Sequence, residues 1–291
     1  MVKSKGVLVW LFYSVLVLTW GSSFILMKQG LKYYSPPQVA TIRLVSAMIV
    51  LGGFASIHIR KIPFRSLGYV FLSALLVMFI PAYLFCFAES QISSALAGIL
   101  NALTPFFTFI LGVFYFKHAV HRMQIAGLVI GFTGILFLTL ISSNGELSFN
   151  RFTIFVIIAS FCYGLNINIV KTHLSHVNPL HLSTVSVAFA GLFSLIYLWG
   201  SGGIPIMPLT LENRGPVIAS VILGVCGTAV AQVLFNYIIR RSTPVFSSSI
   251  IYALPLVAIF WGVLDGESLL VWHYVGMVCI ISGILVMRRS A

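Results

Sequence analysis

Acid is nearly missing from this chain: five Asp and Glu side chains stand against seventeen Lys and Arg in 291 residues, and charged types together make up only 8%. A soluble domain needs far more charge to cover its surface, so a water-facing globular fold is excluded. Cysteine is scarce as well. Cys86, Cys162, Cys226 and Cys279 show no Cys-x-x-Cys spacing, which argues against a disulfide framework or a redox pair. Polar stretches long enough to build an extramembrane domain are also lacking. What remains is apolar, with 59% hydrophobic residues and a mean hydropathy of +1.07. That composition reads as an all-α integral membrane protein. Ten runs of about 20 residues can each span a bilayer: 7–27, 38–58, 67–87, 94–116, 123–142, 152–171, 180–199, 216–239, 244–264 and 271–288.

The net charge of +12 raises the question of nucleic acid, and the placement of the basic residues answers it. With the N-terminus inside, one side of the membrane receives Lys3, Lys5, Arg60, Lys61, Arg65, Lys117, Arg122, Lys171, Arg240, Arg241, Arg288 and Arg289. The other side receives Lys28, Lys32, Arg151 and Arg214. This is the positive-inside bias, and it puts both termini in the cytoplasm. The basic excess therefore orients the chain and meets anionic lipid, and no nucleic-acid partner is expected. The first apolar run is too long for a signal peptide and lacks a small-residue cleavage pattern, so it reads as a retained helix.

The chain repeats itself. Trp20, Gly21, Lys28, Leu31 and Pro36 recur as Tyr163, Gly164, Lys171, Leu174 and Pro179, at a constant offset of 143. Leu84, Phe85, Pro105 and Gly112 recur as Leu234, Phe235, Pro255 and Gly262, at 150. Gly127, Val129, Gly134, Ile135 and Leu136 recur as Gly276, Val278, Gly283, Ile284 and Leu285, at 149. A longer loop around 201–214 absorbs the added offset. The reading is two five-helix units, 1–145 and 146–291. Five crossings are an odd number, so the second unit enters from the opposite side and the repeats are inverted. Transporters are built this way, with a site between the halves that can open to either surface.

Polar residues inside the spans fall at complementary depths. Trp20 to Ser23, Arg43, Tyr83 and Asn101 lie in the outer half of the membrane. Tyr163, Asn166, Asn168, Ser183, Thr184, Ser186, Gln232 and Asn236 lie mostly in the inner half. Unpartnered polar groups facing hydrocarbon cost several kcal/mol each. Collectively they read as the wall of a hydrated cavity, although interhelical hydrogen bonding accounts for any single Ser or Thr. The candidate substrate-binding set is Trp20, Ser23, Arg43, Tyr83, Asn101, Tyr163, Asn166, Gln232 and Tyr252. Pro105 and Pro255 are repeat equivalents inside spans and mark candidate kinks or hinges. Pro81 interrupts a third span. Gly127, Gly131 and Gly134 form a small-residue face that reads as packing within one chain, so a monomer is expected.

The five acids bound the mechanism. Glu146 and Glu212 fall in loops, Asp265 and Glu267 at the end of one span, and Glu89 at the end of another. None sits near the midplane, where a proton-coupled cation antiporter keeps a carboxylate. That favours neutral or zwitterionic cargo moving down a gradient, with coupling through Glu89 or His181 as the alternative. The seven histidines cluster at span ends. The pairs His118/His121 and His173/His176 lack partner ligands for a metal, and no cofactor is implied. Without a midplane carboxylate or histidine, an intramembrane enzyme has no catalytic group in place. Arg43 is the one basic residue inside a span, roughly 8 Å deep. Snorkelling, an internal pair with Glu89, and contact with a substrate carboxylate are its three readings.

These residues resemble an EamA-type member of the drug/metabolite transporter superfamily over essentially the full length. The carriers are Trp20-Gly21-Ser22-Ser23-Phe24, Pro36 followed by Arg43, and Pro105 after Ala95-Leu96-Ala97. Pro255, Glu267, Gly276 and Gly283 complete them. The resemblance implies ten helices in two inverted five-helix repeats and a central cavity lined by spans 1, 3, 4, 6, 8 and 9. It also implies metabolite export. One departure is Lys117, where the family often has an acid after span 4; Glu267 keeps that acid in the second repeat. The expectation is an inner-membrane exporter of small polar solutes such as amino acids. A drug or purine-type permease of the same fold is the runner-up, ahead of an enzyme or a scaffold.

Overall fold

The structure, a computed structural model, describes residues 2–92, 94–119, 121–142, 151–201, 210–254, 256–257 and 271–288. Pro255, Glu146, Asp265 and Glu267 lie outside the described residues. Every regular element among those described is helical. Six helices are long and apolar enough to cross a membrane: Val7–Leu31, Pro36–Lys61, Phe64–Glu89, Thr153–His173, Pro179–Gly200 and Arg214–Arg241. Thr104–Phe114, Pro244–Leu254 and Val278–Met287 are shorter apolar helices.

Local chemistry sets the ends and breaks. The first crossing is α1 (Val2–Gly21) and α2 (Ser23–Leu31), joined at Ser22. Thr19 and Ser23 donate back to the carbonyls of Val15 and Thr19, at 2.7 and 2.9 Å, a pattern that bends helices. Helix α3 (Pro36–Leu51) opens on a capping box of Ser35 and Gln38 with proline in its first turn, and continues through short turns to Lys61. Helix α4 (Phe64–Ala74) passes through a π turn, Leu75–Phe79, into α5 (Ile80–Glu89). Pro81 follows that turn and has no N–H for the ladder.

The run 94–116, expected as one span, is two helices: α6 (Ser94–Asn101) and α7 (Thr104–Phe114). Pro105 disfavours helical geometry just before it and cannot donate, so the chain turns at Ala102 and Leu103. Then come α8 (Arg122–Ser142), α9 (Thr153–His173) and α10 (Pro179–Gly200). Asn178 caps α10 by accepting from Leu180 N at 2.9 Å. Helix α11 (Arg214–Gly224) runs through a second π turn, Val225–Val230, into α12 (Ala231–Arg241). Leu75 and Val225, where the two π turns begin, are separated by the repeat offset of 150. Thr243 caps α13 (Pro244–Ser248), and α14 (Val271–Arg288) closes the bundle.

Helix pairing follows the same arithmetic. Helix α3 packs on α10, α8 on α14, and α7 on α13; each pair joins a crossing to its own repeat equivalent. Helix α1 packs on α12, and the offset turns that contact into α9 on α5, which is also present. The α8–α14 crossing is glycine on glycine. A Cβ on Gly127 would lie 2.6 Å from Gly283 O, and one on Gly134 would lie 2.8 Å from Gly276 O. Small residues let the two backbones touch, within one chain. Outside, large apolar side chains such as Phe64, Ile49, Phe114 and Trp199 are exposed, whereas Ser73, Thr104, Asn166, Asn168, Ser183 and Ser194 are fully buried. An apolar exterior around a polar interior suits lipid as solvent, and the chain is a multi-pass membrane protein.

Candidate functional site

A central cavity of about 80 Å³ lies where α1, α2, α3, the two π turns, α5, α6, α9, α12 and the segment 251–254 converge. Six of the nine sequence candidates line it: Trp20, Ser23, Arg43, Asn101, Tyr163 and Gln232. The π turn of the second half supplies two polar anchors. Trp20 Nε1 donates to Gly227 O at 2.9 Å, and Arg43 Nε donates to Thr228 Oγ1 at 2.7 Å. A π turn widens the ladder locally, which leaves backbone carbonyls available to neighbouring side chains. Of the three readings of Arg43, the structure gives a half-buried guanidinium on the cavity wall, tied across the halves to Thr228.

Aromatic rings make the apolar wall. Trp20 meets Phe235 edge-on at 4.9 Å, and Tyr163 stacks on Phe85 at 6.0 Å. The repeat offsets exchange these two pairs, since Trp20 corresponds to Tyr163 and Phe235 to Phe85. Asn101 is buried and accepts from Thr104 Oγ1 at 3.2 Å. Gln232 Nε2 reaches Asn236 Oδ1 at 3.4 Å, and Asn236 in turn donates to Ser183 Oγ at 2.9 Å. Aromatic packing joins α1 to α13. Tyr13 and Trp10 each lie 5.7 Å from Phe246, and the Tyr13 hydroxyl is 3.3 Å from Ser249 Oγ.

Three candidates stand elsewhere. Tyr83 is held away from the cavity by two hydrogen bonds, to Thr41 at 2.7 Å and to Ser194 at 3.1 Å. Tyr252 is fully buried with its ring against Gly131, where a Cβ would come within 2.6 Å of the ring. Asn166 is fully buried one helical turn from Tyr163 and is not part of the lining. Pro105 is buried in the first turn of α7, at the break beside Asn101. Among the described residues, no group of three His, Cys, Asp or Glu side chains is placed to hold a metal ion.

Several lining residues were missed in the sequence: Phe24, Met27, Val77, Met78, Phe85, Ile167, Gly227, Thr228, Phe235, Ile251 and Leu254. The repeat relates most of them to one another, and it leads from a sequence candidate to one of them, Ile251 from Asn101. Offsets of 143 and 150 convert Phe24 to Ile167, Val77 to Gly227, Met78 to Thr228, Phe85 to Phe235 and Asn101 to Ile251. All ten of those residues line the cavity.

The sequence pattern of the EamA-like transporter family matches residues 7–140 and again 151–289. The chain is 26% identical over 270 residues to a protein of Escherichia coli K12 named as an uncharacterized inner membrane transporter, YedA; the match covers 90% of this chain and 85% of that one. A probable amino-acid metabolite efflux pump of the same organism is 30% identical over 146 residues, half of this chain and 46% of that one. A probable terminal-alkyne amino-acid exporter of Streptantibioticus cattleyicolor is 24% identical over 249 residues, 84% and 80% of the two chains. One solved crystal structure shares the fold with a TM-score of 0.73 at 17% identity, covering 96% of this chain and 97% of its own. With its sequence matched to the family twice over and its fold shared end to end with a solved structure, this chain belongs to the EamA-like transporter family of membrane transporters.

Proposed function

We propose that this protein exports small neutral or zwitterionic metabolites, amino acids among them, across an inner membrane by alternating access. The observation that carries the proposal is the cavity wall, contributed largely in equivalent pairs by the two halves, with one guanidinium among the described residues, Arg43, set into it. The proposed architecture is ten spans in two inverted units, 1–145 and 146–291, with both termini in the cytoplasm and a monomer as the working unit. The paired π turns and the exchanged helix contacts support it, because an inverted duplication generates such pairs. Relatives named as amino-acid exporters support the cargo class. Arg43 would take a carboxylate, Asn101 and Gln232 would exchange hydrogen bonds with the solute, and Trp20 and Tyr163 would bound its apolar part.

Rocking of one half against the other would open the cavity first to one surface and then to the other. Two experiments test this. Metabolite profiling of medium and cytosol, with and without overexpression, identifies cargo, and flux of that cargo into proteoliposomes follows. The combined Asn101→Ala and Gln232→Ala variant is expected to raise KM at least tenfold. Unchanged kinetics in that variant would remove the cavity from the mechanism. A tag at 146–150 is expected on the face opposite both termini; the same face would overturn the inverted topology.

A further inference from the structure

A second cavity, separate from the central one, lies at the basic end of the bundle between α7, α9 and α13. Its volume is about 370 Å³, within the range of roughly 300–1,000 Å³ typical of small-molecule sites. The central cavity, at about 80 Å³, has room for little more than water in this conformation. The cargo-sized space is therefore the one at the basic end.

Its wall carries an acceptor without a donor. Asn168 is fully buried and lines the cavity. Its amide nitrogen donates to Thr108 O at 3.0 Å and to Gly164 O at 2.9 Å, which fixes the orientation of the group. Oδ1 then has no partner, and an unsatisfied buried acceptor is costly. Gly112 keeps the space in front of it open, because a Cβ there would come within 3.0 Å of Oδ1. One helical turn along α9, on the same wall, stands Lys171. Its ammonium donates to Ser242 O at 2.6 Å and to Ile239 O at 3.3 Å. An ammonium has three hydrogens, and the third has no protein acceptor among the described residues. Phe109, Phe116, Pro244 and Val245 make an apolar stretch of the wall, and Thr108, His118, Gln124, Thr172 and Thr243 add polar groups beside it.

A buried acceptor without a partner, a positive charge one turn away and an apolar stretch of wall suit one chemical class. We infer that this cavity is a loading vestibule for an α-amino acid with an apolar side chain, its ammonium on Asn168 Oδ1 and its carboxylate on Lys171 Nζ. The inference rests on the amino-acid export reading and adds a second site to it. Helix α13 and the residues that continue it to Leu254 line both sites: Val245 lines the vestibule, Phe246 packs on Trp10 and Tyr13, and Ile251 and Leu254 line the central cavity. Movement of α13 then passes the solute inward.

The test is site-directed protection. Ala119 lines the vestibule and is exposed. With the four native cysteines replaced by alanine, Ala119→Cys is labelled by a membrane-impermeant maleimide from the basic side of the full-length protein in vesicles. L-leucine, L-phenylalanine, L-alanine and L-threonine are the probes, and flux of each is measured in parallel. The expected result is protection by the apolar amino acids. Leucinamide and N-acetyl-leucine, each lacking one ionic group, should need at least tenfold higher concentrations. Asn168→Leu and Lys171→Met should each weaken protection at least tenfold. The analogue series, run without either substitution, decides the matter if those variants fail to fold. Flux without protection by any of the four overturns the vestibule and leaves the export reading standing. Protection without flux keeps the site and overturns export of these solutes, and absence of both overturns the two together. Protection by the analogues as strong as by leucine also refutes the assignment.

Discussion

Replacing Gly127 by alanine puts a methyl group into the α8–α14 crossing, where the cost can be worked out from the contacts. The new Cβ would lie 2.5 Å from Met287 Cγ, 2.6 Å from Gly283 O and 2.9 Å from Met287 N. The Met287 side chain can move aside, but the two backbone atoms cannot. Ordinary contact starts at 3.4 Å, so the helices must part by about 0.8 Å (3.4 − 2.6) at that point. A gap of that order forfeits about a quarter to a half of the dispersion well for each atom pair along the crossing. Overpacking costs about 1–3 kcal/mol, and alanine returns about 1 kcal/mol of helix propensity. The net expectation is a destabilisation of about 0–2 kcal/mol. Gly53→Ala is the control, since nothing lies within 4 Å of its Cβ position; it should gain about 0.4–1 kcal/mol. Reversible unfolding in mixed micelles reads both. Gly134→Ala, its Cβ 2.8 Å from Gly276 O, should act in the same direction, and less than additively with Gly127→Ala because the first methyl has already parted the helices. A Gly127→Ala protein that gains as much stability as the Gly53→Ala control would mean that the backbones do not meet at this crossing.

Arg43→Gln removes the one charged side chain among the described residues of the central cavity wall. If cargo carries a carboxylate, its KM should rise on the order of 10- to 100-fold, from the 1.5–3 kcal/mol typical of a charged hydrogen bond; an unchanged KM in proteoliposomes refutes the role. Tyr83→Phe should destabilise by about 1–2 kcal/mol through the hydrogen bonds lost to Thr41 and Ser194, with transport KM unchanged. A shifted KM would return Tyr83 to the site. Burial, and then the Lys171 charge, hold the His118 imidazole below its ordinary value of 6.5. Its contribution to stability is therefore present above that value and lost as pH falls through the folded one. Unfolding followed between pH 7 and 5 should show acid destabilisation, and His118→Gln should flatten the curve.

The spans were legible because membrane helices announce their length. The runs 123–142, 152–171 and 180–199 became Arg122–Ser142, Thr153–His173 and Pro179–Gly200, with ends set by Asn178, Pro179 and similar caps. The break at Ala102 and the two π turns were not read, although Pro105 and Pro81 signalled trouble in those ladders. Direction around each helix was the harder problem. Depth follows from position along a run, but a helix that is apolar all round gives little contrast to fix which side faces inward. Tyr83, Asn166 and Tyr252 have suitable depth, yet they face neighbouring helices instead of the cavity. The repeat offset supplies the missing angle: a residue whose equivalent lines the cavity tends to line it as well, as Phe85 does with Phe235 and Phe24 with Ile167.

Not all of the wall obeys that symmetry, and the exceptions are instructive. The equivalents of Ser23, Arg43 and Gln232 are Asn166, Ser186 and Ala82, none of which lines the cavity. The apolar wall is thus shared evenly while the polar groups are placed unevenly, which would hold a solute with distinct ends in one orientation. Arg43 belongs to the first half and Thr228 to the second, so their 2.7 Å bond ties the halves together beside the cavity. On the export reading, a cargo carboxylate competes with Thr228 for the same guanidinium. Binding then weakens a cross-half tie, and the solute acquires the differential interaction with two states that any driven conformational change requires. Thr228→Val removes the competitor and leaves Arg43 for cargo. KM should fall about 2- to 12-fold, the equivalent of a net 0.5–1.5 kcal/mol hydrogen bond, while empty-carrier exchange speeds up. A KM that rises, as for Arg43→Gln, would mean that Thr228 positions the guanidinium for cargo instead of restraining it, and the competition argument would fall.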